Sequence, residues 1–296
     1  MSTNKNRFAV IGCGRVGVSL AVFLSAKGFD PVSFFSRTPE SAVFASRMTG
    51  RGQVAESAAS AALVADIVFI TTPDSMIKTV CEDLSQENGF RNGAMVFHLS
   101  GALSSEILDS ARHRGAAVGS IHPLQAFAPF EKGQANPFEH INMSVEGDPD
   151  AVALGQDIIS ALGARAFTIP TDAKTLYHAS AVVASNYLVA LEDFALKLLM
   201  ETGLDAPAAY DILEPLIHGT LANIKSKGCA RALTGPVARG DHEIVSRHLS
   251  DIDARMPEFS ALYRTLGMHT LDIAGKGAGI NKKAEQKLSR LFSGKS

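Results

Sequence analysis

Short apolar runs rich in β-branched and aromatic residues recur through the first half of the chain, each closing on glycine or polar residues. FAVIG (8–12), PVSFFS (31–36), ADIVFITT (65–72), GAMVFHLSG (93–101) and GAAVGSIHP (115–123) are such runs. Runs of this length without strict alternation mark strands buried on both faces. Between them the period changes. Val16, Leu20, Phe23 and Leu24 recur at helical spacing within 15–27. Thr38, Pro39 and Glu40 open TPESAVFASRM as a cap and first helical turn. SEILDSARHR (105–114) reads as a further helix. Strand alternating with helix predicts an α/β fold, a parallel doubly wound sheet of the Rossmann type. INMSVEG and ARAFTI, within 141–169, add one more strand–helix–strand excursion.

The texture changes near IPTDAK. From Asp172 to Thr202 neither glycine nor proline occurs across 31 residues. That predicts one uninterrupted helix of roughly 45 Å, ended by Gly203. Helical patterns continue at 207–225, 241–251 and 256–275, and the basic tail GKGAGINKKAEQKLSRLFSGKS carries one weaker helix. The chain therefore divides into a nucleotide-binding domain at 1–170 and an all-helical domain at 171–296, expected to serve substrate binding and dimerisation.

Composition narrows the function classes. The length of 296 residues suits two domains, and 46% apolar with 20% charged residues is ordinary for a globular protein. With 28 basic against 30 acidic residues, the net charge of −2 offers no basic field for nucleic acid or a membrane surface. Cys13, Cys81 and Cys229 are odd in number, far apart and not in metal-ligand spacing, which reads as reduced thiols in a cytoplasmic protein without a metal site. The start, MSTNKNRFAV, lacks the apolar core of a signal peptide, and no stretch reaches the length of a membrane span.

The chemistry begins at the first strand. Gly12-x-Gly14-x-x-Gly17 follows it and opens a helix. Gly12 permits the tight turn, Gly14 lets a pyrophosphate approach the backbone, and Gly17 lets helix and strand pack closely. The helix N-terminus adds free N–H groups and a positive dipole end. Cys13 and Val16 complete the loop, and Arg15 can reach a phosphate. An NAD site carries Asp or Glu at the end of the second strand. Here that place reads Ser36-Arg37-Thr38. A guanidinium and two hydroxyls suit a 2′-phosphate, so NADP(H) is the expected cofactor. The competing reading of Arg37 is a solvated surface arginine. Thr71, Thr72, Pro73 and Met76, at the carboxyl end of another strand, are expected to line the cofactor or simply cap a helix.

Two further strand ends are rich in donors: His98, Ser100 and Gly101, then Ser120, His122 and Gln125. A histidine there can donate to a substrate oxygen or move a proton near neutral pH. His98 has the competing reading of a buried residue that satisfies backbone groups. On the long helix Lys174 and His178 stand four apart on one face, Asn186 lies eight beyond His178, and Tyr177 and Tyr187 flank them. Lys174, His178, His122, Ser100 and Asn186 are the candidate catalytic set. Arg231 and Arg239, in the connector 230–243, can hold a substrate carboxylate or belong to an ordinary helix turn capped by Asp241.

These features resemble the β-hydroxyacid and 6-phosphogluconate dehydrogenase superfamily: a GxGxxG module, then a long helix with Lys174 near its start and a helical C-terminal half. The N-terminal module resembles that of pyrroline-5-carboxylate reductase and of deazaflavin-dependent NADP reductases. More closely, HLSGALSS, SIHPLQAF, LYHASAVVASNYLVAL and LTGPVARGD are similar to a group of Rossmann-like oxidoreductases whose C-terminal half is a domain of unknown function. The resemblance implies the fold, NADP use and a homodimer formed through the helical half. In the hydroxyacid dehydrogenases an asparagine follows the catalytic lysine by four residues, where this chain has His178, and HLSGA replaces their substrate-binding glycine segment. The expected function is NADP(H)-dependent hydride transfer to or from a small carbonyl, hydroxy or imine substrate in an interdomain cleft. The alternative is a non-catalytic NADP(H)-binding sensor on the same scaffold.

Overall fold

The computed structural model describes residues 6–277 and 279–294 of the chain. The segment read above as lacking a leader lies, over 1–5, outside the described residues. Two compact units are present, 1–186 and 187–296.

The first unit is built on one eight-stranded sheet of order β3-β2-β1-β4-β5-β6-β7-β8. Its strands are β1 (Arg7–Ile11), β2 (Asp30–Phe35), β3 (Gln53–Val54), β4 (Ile67–Ile70), β5 (Met95–His98), β6 (Ala117–Pro123), β7 (Asn142–Gly147) and β8 (Arg165–Thr168). The first six are parallel in the doubly wound order 3-2-1-4-5-6. Side chains alternate between two cores. Phe8, Val10, Phe69 and Phe97 join one cluster, while Ala9, Ile11, Val68, Ile70 and Val96 join the other. Burial on both faces is the reason the strands read as continuous apolar runs.

The helices α1 (Arg15–Ser25), α2 (Pro39–Thr49), α3 (Ala58–Leu63), α4 (Asp74–Gln86), α5 (Asp109–Arg112) and α6 (Pro149–Ala161) connect the strands. Within the predicted helix 105–114, Ser105–Leu108 is 3₁₀ and only α5 is α-helical. Thr38 occupies the N-cap position of α2 but makes no capping side-chain bond, a correction to its expected role.

The uniformly parallel sheet is corrected at its edge. β7 runs antiparallel to β6, and β8 pairs parallel with β7. The connection 124–141 contains no helix to carry the chain back across the sheet, so β7 enters at the end where β6 leaves.

The single long helix is also corrected. A 3₁₀ turn at Thr171–Ala173 leads into α7 (Lys174–Val182), a π-helical turn follows at Val183–Tyr187, and α8 (Leu188–Met200) completes the run. Gly203, at φ +96°, stands just beyond it. The first compact unit takes in α7 and reaches Asn186, beyond the division near residue 170 expected from composition.

The second unit is helical: α8, α9 (Ala206–Lys227), α10 (Cys229–Ala232), α11 (Pro236–Arg239), α12 (His242–Arg255), α13 (Ser260–Gly275) and α14 (Lys282–Ser293). Val245, Leu249, Leu271, Leu288 and Phe292 form its core. The 230–243 connector is thus largely two single helical turns. Among the described residues, no helix is long and apolar enough to cross a membrane.

Candidate active site

The β1–α1 turn opens one side of a pocket at the carboxyl ends of the parallel strands. Gly12, Cys13 and Gly14 line it, with Ser36, Arg37 and Thr38 from the end of β2, and Thr71, Thr72, Pro73 and Met76 from the end of β4. Gly12 has φ +101°, and a Cβ there would stand 2.8 Å from Thr72 N. Gly17 packs behind the loop, where a Cβ would lie 2.5 Å from Gly12 O. At Gly14 a Cβ would meet nothing within 4 Å, so the space above this loop is clear. Arg15 is exposed at the first turn of α1, and Val16 is half-buried. Burial pushes the Cys13 thiol up to about 12, so it is a packed loop residue rather than a nucleophile.

These residues fit a nicotinamide dinucleotide. Thr72 Oγ1 is buried with no hydrogen-bond partner, the kind of unsatisfied group that a bound ligand completes. The α1 N-terminus carries unpaired N–H groups beside the cleared space over Gly14. No carboxylate lines the described pocket, while Arg37 does.

A second set of groups stands further along the same sheet. Asp74 directly follows Pro73, and its Oδ2 accepts from Ser100 Oγ at 2.7 Å. Ser100 Oγ also accepts from the N–H groups of Ala102 and Leu103, at 3.1 Å each. The expected polar wall at Ser100 is therefore a turn held shut by its own hydroxyl. Ser100 O accepts from Ser120 Oγ at 3.3 Å, and Ser120 Oγ in turn accepts from Lys174 Nζ at 2.7 Å.

Lys174, at 1% exposure, is the most deeply buried of the Lys, Arg, Asp and Glu side chains among the described residues. Its bond to Ser120 is its only hydrogen bond among the described residues, so two N–H groups remain for a ligand. Burial drives its pKa down to about 8, partly opposed by Glu146 and Asp74. Glu146 is 2% exposed and accepts from Ser105 N at 2.9 Å and Ser105 Oγ at 2.8 Å. Ser120, Asp74 and Glu146 belong to the site but stand outside the catalytic set expected from sequence. From sequence, Asp74 has no role beside Pro73, and Glu146 lies within INMSVEG, which reads only as a strand.

His122 Nδ1 lies 2.7 Å from the Tyr177 hydroxyl, and the His122 and His178 rings are 6.3 Å apart. Burial, then Lys174 and His178, lower His122 to about 4, so it is neutral at pH 7. Lys174 Nζ stands 5.7 Å from the centre of the Tyr177 ring. The fold thus brings Lys174, His122, His178 and Tyr177 together.

Other candidates stand elsewhere. His98 is fully buried, with Nδ1 accepting from Ser100 N and Nε2 facing Ser104 O, both at 3.1 Å. Both of its nitrogens serve backbone groups. Asn186 is exposed in the π turn, whose wider winding breaks the angular count that aligned it with Lys174 and His178. In the second unit Arg231 donates to Lys227 O at 3.0 Å and Arg239 to Asp241 Oδ2 at 2.9 Å. Asp241 makes no cap bond to its helix.

Residues 2–123 match the Rossmann-like domain family, and residues 141–270 match DUF2520, a domain of unknown function. No curated protein matches the chain in sequence. Among solved structures, a protein from Thermotoga maritima is 27% identical with TM-score 0.71, over 91% of this chain and 98% of that one. A protein from Bacteroides fragilis, assigned as an NADP oxidoreductase, is 24% identical with TM-score 0.70, over 90% and 98%. An imine reductase from a Pseudomonas species is 21% identical with TM-score 0.63, over 92% and 98%. At these identities the latter two likenesses speak to the fold. The two matches thus fall one after the other along the chain, the Rossmann-like model over the first part and DUF2520 over the second.

Proposed function

We propose that this protein is an NADP(H)-dependent oxidoreductase acting on a small carbonyl, hydroxy or imine compound. The observation that carries the reading is Lys174: a buried ammonium with two unpaired N–H groups, at the same sheet end as a pocket fitted for a dinucleotide. The names of the Bacteroides and Pseudomonas structures support the same reaction class.

Gly12, Gly14 and the start of α1 would hold the pyrophosphate, with Thr72 completing its hydrogen bonds there. Ser36, Arg37 and Thr38 would receive the 2′-phosphate. Bound in this way, the nicotinamide supplies or accepts the hydride. Lys174 then stabilises negative charge on the reacting oxygen in a site shielded from water. His122 orients the substrate by a hydrogen bond and His178 carries its proton. Arg231 or Arg239 would hold an acid group only after exchanging its present partner.

Exposed apolar residues on the helical unit, Val189 and Leu191 on α8 with Ile212 and Leu216 on α9, support a homodimer. Reduced, unpaired cysteines suit a cytoplasmic location.

The test is thermal denaturation with NADPH and NADH, followed by NADPH oxidation across small ketones, aldehydes and cyclic imines. A rise in Tm with NADPH and turnover lost in Lys174→Ala/His178→Ala support the reading. No thermal shift with either nucleotide overturns it, and binding with no turnover leaves the sensor.

A further inference from the structure

We propose that Tyr177 is a positioning residue: its hydroxyl, bonded to His122 Nδ1, fixes His122 as the Nε2–H tautomer, with that donor beside Gly101. The inference rests on the reading of the site as a substrate site.

Three observations carry it. First, His122 Nδ1 and the Tyr177 oxygen are 2.7 Å apart. A neutral imidazole has one donor and one acceptor nitrogen. A phenol is a far stronger acid than a neutral imidazole N–H, so the hydroxyl donates and Nδ1 accepts. The proton of His122 is then on Nε2.

Second, Nε2 has no hydrogen-bond partner among the described residues, unlike either nitrogen of His98. A Cβ on Gly101 would come within 2.7 Å of His122 Nε2 and 2.8 Å of His178 Cδ2. Glycine at 101 is what leaves room for both rings.

Third, the groups that act electrostatically on His122 are Lys174 and His178, with no carboxylate among them. Asp74 and Glu146 act instead on Lys174. The imidazole is held neutral by burial and by the Lys174 ammonium, so its tautomer rather than its charge decides what it offers. Tyr177 itself is shifted up by burial, so its hydroxyl keeps its proton. Ser144, the register partner of His122 across β6 and β7, is fully buried, and its hydroxyl stands against Tyr177, where it partly opposes the effect of burial on that phenol.

The consequence is chemical. His122 Nε2–H and the two unpaired N–H groups of Lys174 are all donors. A ligand atom that any of these donors receives must be an acceptor: a carbonyl oxygen, an alkoxide or an unprotonated imine nitrogen. A protonated iminium would meet donors only.

The test needs no substrate. In full-length ¹⁵N-labelled protein at pH 7, long-range ¹H–¹⁵N spectra report each histidine's tautomer, and His122→Asn assigns the His122 signals by their loss. The expected result is a protonated Nε2 and an unprotonated Nδ1 at His122. In Tyr177→Phe, which removes one hydroxyl, the signals should move to a mixture of tautomers. A protonated Nδ1 in the wild type overturns the proposal, as does an unchanged tautomer in a folded Tyr177→Phe. If that variant does not fold, the wild-type spectrum alone decides. NADPH binding is followed in parallel by thermal shift. Its absence overturns the proposed function and leaves the tautomer result standing.

Discussion

Lys174 Nζ donates to Ser120 Oγ across 2.7 Å, and that bond ties the start of α7 to the middle of β6. The lysine is 1% exposed and shifted down to about 8, so at pH 7 it is mostly a buried ammonium. A cost of about 3 kcal/mol follows from a shift of this size. Lys174→Met keeps the packed stem and removes the charge. We expect a Tm at pH 7 equal to or above that of the wild type, an unchanged NADPH-induced thermal shift, and turnover reduced by about 10² or more. A large loss of stability would mean that the lysine is a structural cation.

The same group sets a window in alkali. The unfolded lysine titrates at its model value of 10.5 and the folded one at about 8, so between them the unfolded chain binds more protons. Stability contributed through Lys174 therefore rises with pH from about 8 to 10.5. Across that range, the Tm advantage of Lys174→Met over the wild type should shrink in calorimetric scans. A constant difference would contradict the shifted lysine.

His98 and His122 act in acid. They titrate near 3 and 4 when folded, against 6.5 for a free histidine. As pH falls below 6.5 the unfolded state takes up their protons first, so stability declines, by up to about 1.4 kcal/mol per pH unit and histidine. His98→Gln keeps a polar group on the backbone and should flatten the decline measured by urea unfolding between pH 6.5 and 4.

Gly12→Ala places a side chain at φ +101° and within 2.8 Å of Thr72 N. Backbone strain and the clash together should cost about 2 kcal/mol or more. Because Gly12 lines the pocket, NADPH affinity should fall as well. Urea titrations with and without NADPH separate the two effects.

Arg37→Asp tests the choice of cofactor. Loss of a charge-assisted bond of about 1.5–3 kcal/mol corresponds to roughly 10- to 100-fold in affinity. NADP(H) binding should weaken by that factor in calorimetric titration, with NAD(H) far less affected. Equal weakening would remove the 2′-phosphate from Arg37.

Leu216 is 66% exposed on α9, so Leu216→Glu should leave the monomer's stability unchanged. Light scattering should then find a dimer in the wild type and a smaller species in the variant. A monomeric wild type ends the dimer reading.

The strands and most helices were legible because their signals are local. FAVIG followed by Gly12-x-Gly14-x-x-Gly17 states a buried strand, a turn and a helix start within ten residues. The antiparallel β7 was not legible. INMSVEG carries the same apolar pattern in either direction, and only the helix-free path of 124–141 decides how it enters. Nor was the π turn at Val183–Tyr187, since no glycine or proline marks it and one added residue of winding displaces Asn186.

The site divides in the same way. His98 and His122 both stand at or near strand ends, yet the backbone occupies both nitrogens of one and leaves a nitrogen of the other open. Glu146 joins Ser105 across 41 residues, and Lys174 joins Ser120 across 54. The sequence by itself determined most strands and helices, the doubly wound half and the glycine loop, because hydrophobic period and turn chemistry act between near neighbours. The tertiary structure decided which polar groups are buried, which are paired and which stay open. Desolvation and Coulomb forces depend on distance in space, and that distance exists only once the chain has folded.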